Sequence, residues 1–432
     1  VRILLVKPKW FVHGGQYRYL ENVRFTPLSL GILAALSGGH EVKITDGDWQ
    51  AIPLNEGFDL VGITVTTFTS ERVYELTRKF KRNGAKVVLG GVHPSVLPEE
   101  CLDHADSVVV GEAEYVWKDV LRDAEKGGLK RIYRAERPTD MNDVPFPRRD
   151  LLDEPCWFTC VQATRGCPNS CLYCYLPSTP WRQYRKRAVE LLVEEIHSLR
   201  QKIFFFVDDN LFADREYAIK LFKAITPLKK SWAVQAPTTI GEDEELLDAM
   251  AEGGCFNVQM GFQSFNKESL NWASVKHNRV GKYRDLVRKL HDRKIIITGF
   301  FMFGFDTDTP DAFDATVEQV KVIDIDDANL YILTPYPGTP IYARFQREGR
   351  LLEGTRRTRF GWSHAVFHPK QMTHEELERG VQRAYDMLYP FFRKKLKKVI
   401  FRRFNWMLKH PRLIAVLVGG NIRRARVTTE LA

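Results

Sequence analysis

Short apolar runs recur along the first third of the chain, each closed by Gly, Pro or charged residues. They lie at 3–6, 41–45, 60–65, 86–89 and 107–110, and predict strands. Between them, apolar residues at helical spacing predict helices around 28–36, 71–81 and 115–123. A strand with consecutive apolar residues is covered on both faces. Such strands alternating with helices predict a doubly wound, Rossmann-like parallel sheet over residues 1–135. Ligands on such sheets bind beyond the carboxyl ends of the strands. The sequence places Asp46-Gly47-Asp48, Thr64-Val65-Thr66-Thr67, Gly90-Gly91-Val92-His93-Pro94 and Gly111-Glu112 at those ends. Asp46, Thr66, Gly90, Gly91, His93, Gly111 and Glu112 are therefore candidate ligand contacts.

Residues 136–155 hold Pro138, Pro145 and Pro147 among interleaved charges, and read as an extended crossing between domains. The strand–helix pattern then resumes over 156–345. Strands are expected at 158–163, 203–207, 232–235, 256–260, 296–303 and 328–333, with helices at 188–200, 217–225, 244–252, 282–292 and 312–322. Six strand–helix repeats predict an incomplete (β/α)6 barrel, whose chemistry gathers at the strand carboxyl ends. Residues 346–432 carry no strand pattern and read as a helical extension.

A length of 432 residues predicts more than one core. With 44% hydrophobic residues the chain is of ordinary globular composition. No run of 18 apolar residues occurs, so no membrane span is expected, and no signal peptide is visible at Val1. Seven cysteines, three of them clustered, do not form a disulfide framework. They point to a reducing compartment and a metal site, and hence to the cytoplasm. The net charge of +10 is uneven: twelve Lys or Arg and no acid lie between Phe391 and Arg426, leaving the rest at −2. Lys394-Lys395, Lys397-Lys398 and Arg402-Arg403 interleave there with Phe391, Phe392, Phe401, Phe404 and Trp406. Such a segment suits packing on the barrel, peripheral contact with an anionic membrane surface, or nucleic-acid phosphates, the last being the least expected.

Directly after the first strand of the second domain comes Thr164-Arg165-Gly166-Cys167-Pro168-Asn169-Ser170-Cys171-Leu172-Tyr173-Cys174. Three thiolates at C-x3-C-x2-C spacing on one loop can each reach a different iron of a cubane cluster. A four-iron cluster with three protein thiolates leaves one iron open to a substrate or cofactor. A zinc site would ask for a second Cys pair elsewhere, which this chain lacks. Cys156 and Cys160, four apart on one strand, read as core thiols rather than a second cluster, and Cys101 and Cys255 as lone buried thiols.

This loop resembles the signature of the radical S-adenosylmethionine (SAM) superfamily. The resemblance implies that Cys167, Cys171 and Cys174 hold a [4Fe-4S] cluster whose open iron binds SAM. It implies that Tyr173 lies near the adenine, and that an electron from a low-potential donor such as flavodoxin or ferredoxin splits the sulfonium to give a 5′-deoxyadenosyl radical. Further segments match in order. Phe206-Val207-Asp208-Asp209-Asn210 ends the second barrel strand, where the family binds the SAM amino end, with helix N-capping the alternative for Asp209 or Asn210. Gly261-Phe262-Gln263-Ser264 ends the fourth, where Gln263 replaces the usual Glu and Gln263 and Ser264 would meet the ribose. Gly299–Phe305 and Tyr331–Pro340 resemble the fifth- and sixth-strand segments, and add Gly304 and Tyr336 as cofactor contacts.

Together with the first domain, the chain resembles cobalamin (B12)-binding radical SAM enzymes over nearly its whole length. Leu89–Glu100 and Val110–Glu114 carry that resemblance. The family's Asp-x-His-x-x-Gly loop reads Asp46-Gly47-Asp48-Trp49-Gln50-Ala51 here, so no axial His comes from it. The implied activity is a C-methyltransferase. One SAM methylates cobalamin, a second yields the radical that abstracts hydrogen from an unactivated carbon, and methylcobalamin donates the methyl group. The rivals are a radical SAM cyclisation, rearrangement or coupling without methyl transfer, a tRNA methylthiotransferase, and a cobalamin sensor. The methylthiotransferase needs three more cluster cysteines in the first domain, where only Cys101 occurs, and the intact triad argues against the sensor. A tail at the inner face of a membrane implies a lipid or another large apolar substrate.

Overall fold

A computed structural model describes residues 1–10, 26–152 and 159–402, apart from the side chains of Pro180 and 396–402. The first sheet joins β1 (Arg2–Lys7), β2 (Glu41–Asp46), β3 (Leu60–Thr64), β4 (Lys86–Gly90), β5 (Ser107–Val110) and β6 (Ile132–Arg134). Their order is β2-β1-β3-β4-β5-β6, all parallel. Successive residues of β1 feed opposite faces. Leu4 and Val6 join the core under the helix Ser70–Arg82, while Ile3 and Leu5 join that under Leu28–Leu36 and Trp117–Glu125. The order reverses beside β1, which opens a crevice at the carboxyl ends of the neighbouring strands. β6 was not expected from sequence: only Ile132 and Tyr133 are apolar in a basic stretch, and Tyr133 is buried as it donates to Asp123 at 2.9 Å.

The second sheet joins β7 (Thr159–Val161), β10 (Ile203–Phe206), β11 (Ser231–Ala236), β12 (Cys255–Gln263), β13 (Ile296–Phe303) and β14 (Asp327–Ile332). These are parallel neighbours in an open row from β7 to β14, an incomplete barrel of six strands among the described residues. A small antiparallel ribbon, β8 (Thr164–Arg165) with β9 (Arg185–Lys186), stands at the carboxyl end of β7. Helices Val189–Ser198, Arg215–Ile225, Glu244–Glu252, Tyr283–Asp292 and Ala312–Val322 cover the outer face. The second begins two residues before its expected start because Asp214 caps it, accepting from Tyr217 N–H at 3.0 Å.

Of the region expected to be helical from 346 onward, the described residues form one long helix, His374–Arg402, and a single 3-10 turn at Arg357–Arg359. Before that helix runs an irregular strap, tied by a bridge between Leu351 and Phe367 and by Ile332 N–H to Trp362 O at 2.7 Å. The strap also reaches the first domain: Arg356 pairs with Glu71 and Arg357 with Glu100, each at 2.9 Å. Leu388 and Phe392 pack into the barrel core, and Lys395 is buried against Asp324 and Asp326 at 2.8 and 3.2 Å. The start of the basic segment is thus part of the barrel, and residues 403–432, with Phe404 and Trp406, lie outside the described residues. Among the described residues no helix is long and apolar enough to cross a membrane.

Candidate active site

The cysteine loop leaves the β8–β9 ribbon under tight constraint. Gly166 has φ +86°, and a Cβ there would lie 2.2 Å from the Gln183 carbonyl oxygen, so only glycine fits. Its N–H donates to Asp209 at 2.8 Å. Cys167 N–H donates to Arg182 O at 3.2 Å, Leu172 N–H to Ala273 O at 3.0 Å, and Leu172 O accepts from Ile341 N–H at 3.1 Å. Cys167, Cys171 and Cys174 are all half-buried on this loop, and Asn210 donates to the Cys167 sulfur at 3.7 Å. Burial pushes the Cys171 thiol up to about 11 and that of Cys174 to about 12. Among the described residues no three His, Cys, Asp or Glu come close enough to share one metal ion. A cubane asks for a different arrangement, since each thiolate takes its own iron, and three adjoining sulfur donors on one loop suit it. Tyr173 lies beside them, its phenol pushed up by burial and by Cys171. Cys160 is buried, as are Cys101 and Cys255, and Cys156 lies outside the described residues.

The two carboxylates after β10 divide their tasks. Asp208 is buried and accepts from Ala163 N–H at 2.9 Å, from Thr164 Oγ1 at 2.8 Å, and from Thr164 N–H. It pins the end of β7 to β8 through one carboxylate oxygen. Burial pushes its carboxyl up to about 7 despite these donors, and its second oxygen has no partner among the described residues. Asp209 is the one that faces open space. Neither Asp209 nor Asn210 caps the following helix through its side chain; Asp214 does.

At the end of β12 the register shifts between Gly261 and Gln263, and Gln263 takes φ +63°. Its amide folds back over Gly261, where a Cβ would lie 2.4 Å from Nε2. Asn278 secures this bulge, donating to Gly261 O and Phe262 O at 2.8 Å each. Ser264 accepts from Asn266 N–H at 3.0 Å, so its hydroxyl shapes the turn into the next helix. Gly304 follows β13. Its φ is +103°, its N–H donates to Asp308 at 2.9 Å, and a Cβ would strike Leu377 and Phe367 of the C-terminal packing. Tyr336 packs near Phe360, their ring centroids 6.5 Å apart, with its hydroxyl buried.

Between the two sheets lies a cavity of about 560 Å³. The first domain supplies Thr64, Gly90, Gly91, Gly111 and Glu112; the barrel supplies Gln162, Arg165, Tyr175, Trp181, Arg185 and Asp209. Gly91 has φ +106°, and a Cβ would lie 2.9 Å from Val65 O. The Trp181 indole sits against Gly111, 2.9 Å from where a Cβ would be. Glu112 pairs with Arg185 at 2.7 and 2.8 Å and with Arg165 at 3.3 Å. Burial alone would raise its carboxyl, but the Arg185 bonds and the Arg165 charge outweigh that and hold it at about 2.

Three expected contacts do not line this cavity. Asp46 is buried in an ion pair with Lys7 at 3.1 Å, and Asp48 pairs with the same Lys7 at 2.8 Å while accepting from Trp10 N–H. Thr66 shares a reciprocal cap with Thr69. His93 is fully buried against Tyr74 at 3.1 Å, Glu100 at 3.2 Å and Thr67 at 3.3 Å. The short helix Val92–Val96 begins at Gly91 and turns Val92 and Ser95, three apart, toward the cavity; His93 falls on the opposite face. Sequence reasoning missed Arg165, Arg185, Trp181 and Asn278. Only Arg165 left a signal, a charge two residues before the first cluster cysteine.

A chain of aromatic side chains links the first domain, the strap and the barrel. Ring centroids are 5.0 Å apart for Trp10 and Phe68, 6.2 Å for Phe68 and Trp362, 5.8 Å for Trp362 and Tyr331, and 5.7 Å for Tyr331 and Phe300.

The model of the radical SAM superfamily matches residues 161–320, and that of the B12 binding domain matches 25–121. The bacteriochlorophyllide d C-12(1)-methyltransferase of Chlorobaculum tepidum is 29% identical over 368 residues, 81% of this chain and 80% of that protein. The C-8(2)-methyltransferase of the same organism is 29% identical over 347 residues, 74% of this chain and 76% of that protein. Among solved structures, the radical SAM methyltransferase TsrM from Kitasatospora setae, with tryptophan and a SAM analogue bound, superposes with a TM-score of 0.66 at 20% identity. That match covers 80% of this chain and 76% of TsrM, and shows a shared fold.

Proposed function

The chain belongs to the radical SAM superfamily, in the class that carries a B12-binding domain, and from that premise we propose that it is a C-methyltransferase acting on an unactivated carbon of a large, planar, apolar substrate. The observation that carries this reading is a cavity walled by both the first sheet's strand ends and the root of the cysteine loop. When bound, a [4Fe-4S] cluster with SAM supplies a 5′-deoxyadenosyl radical, and cobalamin carries the methyl group.

The chain's own residues set the stage for that chemistry. Cys167, Cys171 and Cys174 would hold the cluster. Gly90, Gly91 and Gly111 line the cavity, and at Gly91 and Gly111 the missing Cβ leaves room for Val65 O and for the Trp181 indole, which bring its walls together. Asp48, held by Lys7 and Trp10, supplies no axial base from its loop. Phe300, Tyr331 and Trp362 offer ring faces to a conjugated substrate, and ring stacking favours planarity over a flexible chain. The two relatives named for bacteriochlorophyllide d support that substrate class. The reading also takes a flavodoxin or ferredoxin as electron donor, and an anionic membrane surface as the partner of the basic residues beyond Lys395.

The test is anaerobic turnover of a bacteriochlorophyllide with SAM bearing a trideuterated methyl group, added cobalamin and a low-potential reductant. A product heavier by one labelled methyl supports the reading. Consumption of the substrate with no carbon gained replaces it with cyclisation, rearrangement or coupling.

A further inference from the structure

We propose that Arg165 and Arg185 are positioning residues that couple corrin occupancy of the inter-domain cavity to the cluster loop; the proposal rests on the functional reading above. The loop after β5 carries both ends of the link. Gly111, Glu112 and Glu114 line the cavity, and the two carboxylates pair there with arginines of the barrel. Arg185 grips Glu112 through two nitrogens at 2.7 and 2.8 Å and holds the Thr139 carbonyl at 2.7 Å. Arg165 takes Glu114 at 2.6 Å and Glu112 at 3.3 Å, with Gln162 at 2.8 Å fixing its stem. The two arginines face each other across the β8–β9 ribbon.

That ribbon also grips the cluster loop. Arg165 stands two residues before Cys167. Between the strands, Arg182 O accepts from Cys167 N–H, Gln183 O presses on Gly166, and the Trp181 ring rests on Gly111. One short element thus touches the corrin side through Trp181 and Arg185, and the cluster side through Arg182 and Gln183. The four charged side chains are 9–13% exposed, so these are enclosed, two-pronged pairs rather than screened surface ones. A shift of residues 111–114 as a corrin enters moves Arg165 and Arg185 with it. A corrin that holds residues 111–114 in place thereby steadies the cluster loop, and because coupling between two sites is reciprocal, a loaded cluster favours the corrin by the same factor.

The experiment titrates hydroxocobalamin into the full chain, once with the oxidised cluster reconstituted and once without iron, and follows binding by absorption. The wild-type chain should bind hydroxocobalamin about tenfold more tightly with the cluster, a coupling of ordinary size. In Arg165→Met the factor should fall below about twofold, and in Glu114→Gln, which keeps shape and hydrogen bonding, to about threefold. Arg165→Lys, retaining charge without the planar fork, should recover part of it. As a second readout, hydroxocobalamin should slow loss of iron to a chelator in the wild type and not in Arg165→Met. A wild-type factor of one, or an unchanged factor in both Arg165→Met and Glu114→Gln, overturns the coupling while leaving the functional reading intact. No corrin uptake by the wild type in either state overturns both.

Discussion

The two six-stranded parallel sheets use their faces differently. Ile3, Leu4, Leu5 and Val6 of β1 are all fully buried, divided between two cores. In β13, Ile297, Phe301 and Phe303 enter the core beneath the outer helices, whereas Thr298 and Phe300 between them are only half-buried. A sheet with helices on both faces can meet a ligand only at its strand ends. A curved sheet with helices on one face keeps a second face for a substrate. The two domains therefore offer different kinds of surface, strand ends in the first and an inner wall in the second.

The comparison breaks most completely at the cysteine loop. Replacing Cys167 by Ala should abolish a stable four-iron cluster, and iron analysis after anaerobic reconstitution should show well below the about four irons per chain that a cubane requires. Next comes the contrast of faces within β13. Phe301→Ala, which empties a core position, should destabilise the cluster-free chain by about 3–5 kcal/mol. Phe300→Ala should cost about 1 kcal/mol or less, so the two denaturant midpoints should separate clearly. Smaller again is a substitution at the first sheet's strand ends. Gly91→Ala forces a side chain to φ +106° and onto Val65 O, a strain of about 1–3 kcal/mol, and should weaken hydroxocobalamin uptake while leaving iron content unchanged. The smallest effect sharpens the comparison by its absence. Asp48→His restores the residue of the axial-base motif on a loop turned toward Lys7 and Trp10, away from the cavity. Electron paramagnetic resonance of the bound cob(II)alamin should still lack nitrogen splitting from the protein; its appearance would mean that the loop swings into the cavity.

Much of the architecture was legible because burial leaves a periodic trace. Consecutive apolar residues marked the two-sided strands, and the repeat of strand and helix marked the barrel. The trace failed where an element lacks a covered face of its own. Edge strand β6 has two apolar residues, and the strap over 351–373 buries Phe360, Ala365, Val366 and Phe367 without a regular period, tied by one bridge and by ion pairs to the first domain. Within the site, Gly90, Gly91, Gly111, Glu112 and Asp209 do line the cavity, while Asp46, Thr66 and His93 stand beside them in sequence and face elsewhere.

What the sequence determined alone is local: three thiols within eight residues, a glycine where a side chain would collide, strands that must be buried. These depend on spacing along the backbone, which covalent geometry transmits over a few residues. Only the tertiary structure decided which of two adjacent carboxylates, Asp208 or Asp209, is spent on β7 and which looks into the cavity. It alone brought Glu112 and Glu114 to Arg165 and Arg185 across more than fifty residues. An ion pair between distant segments has no period. Its partners are chosen by which strand ends the packing of two hydrophobic cores places side by side.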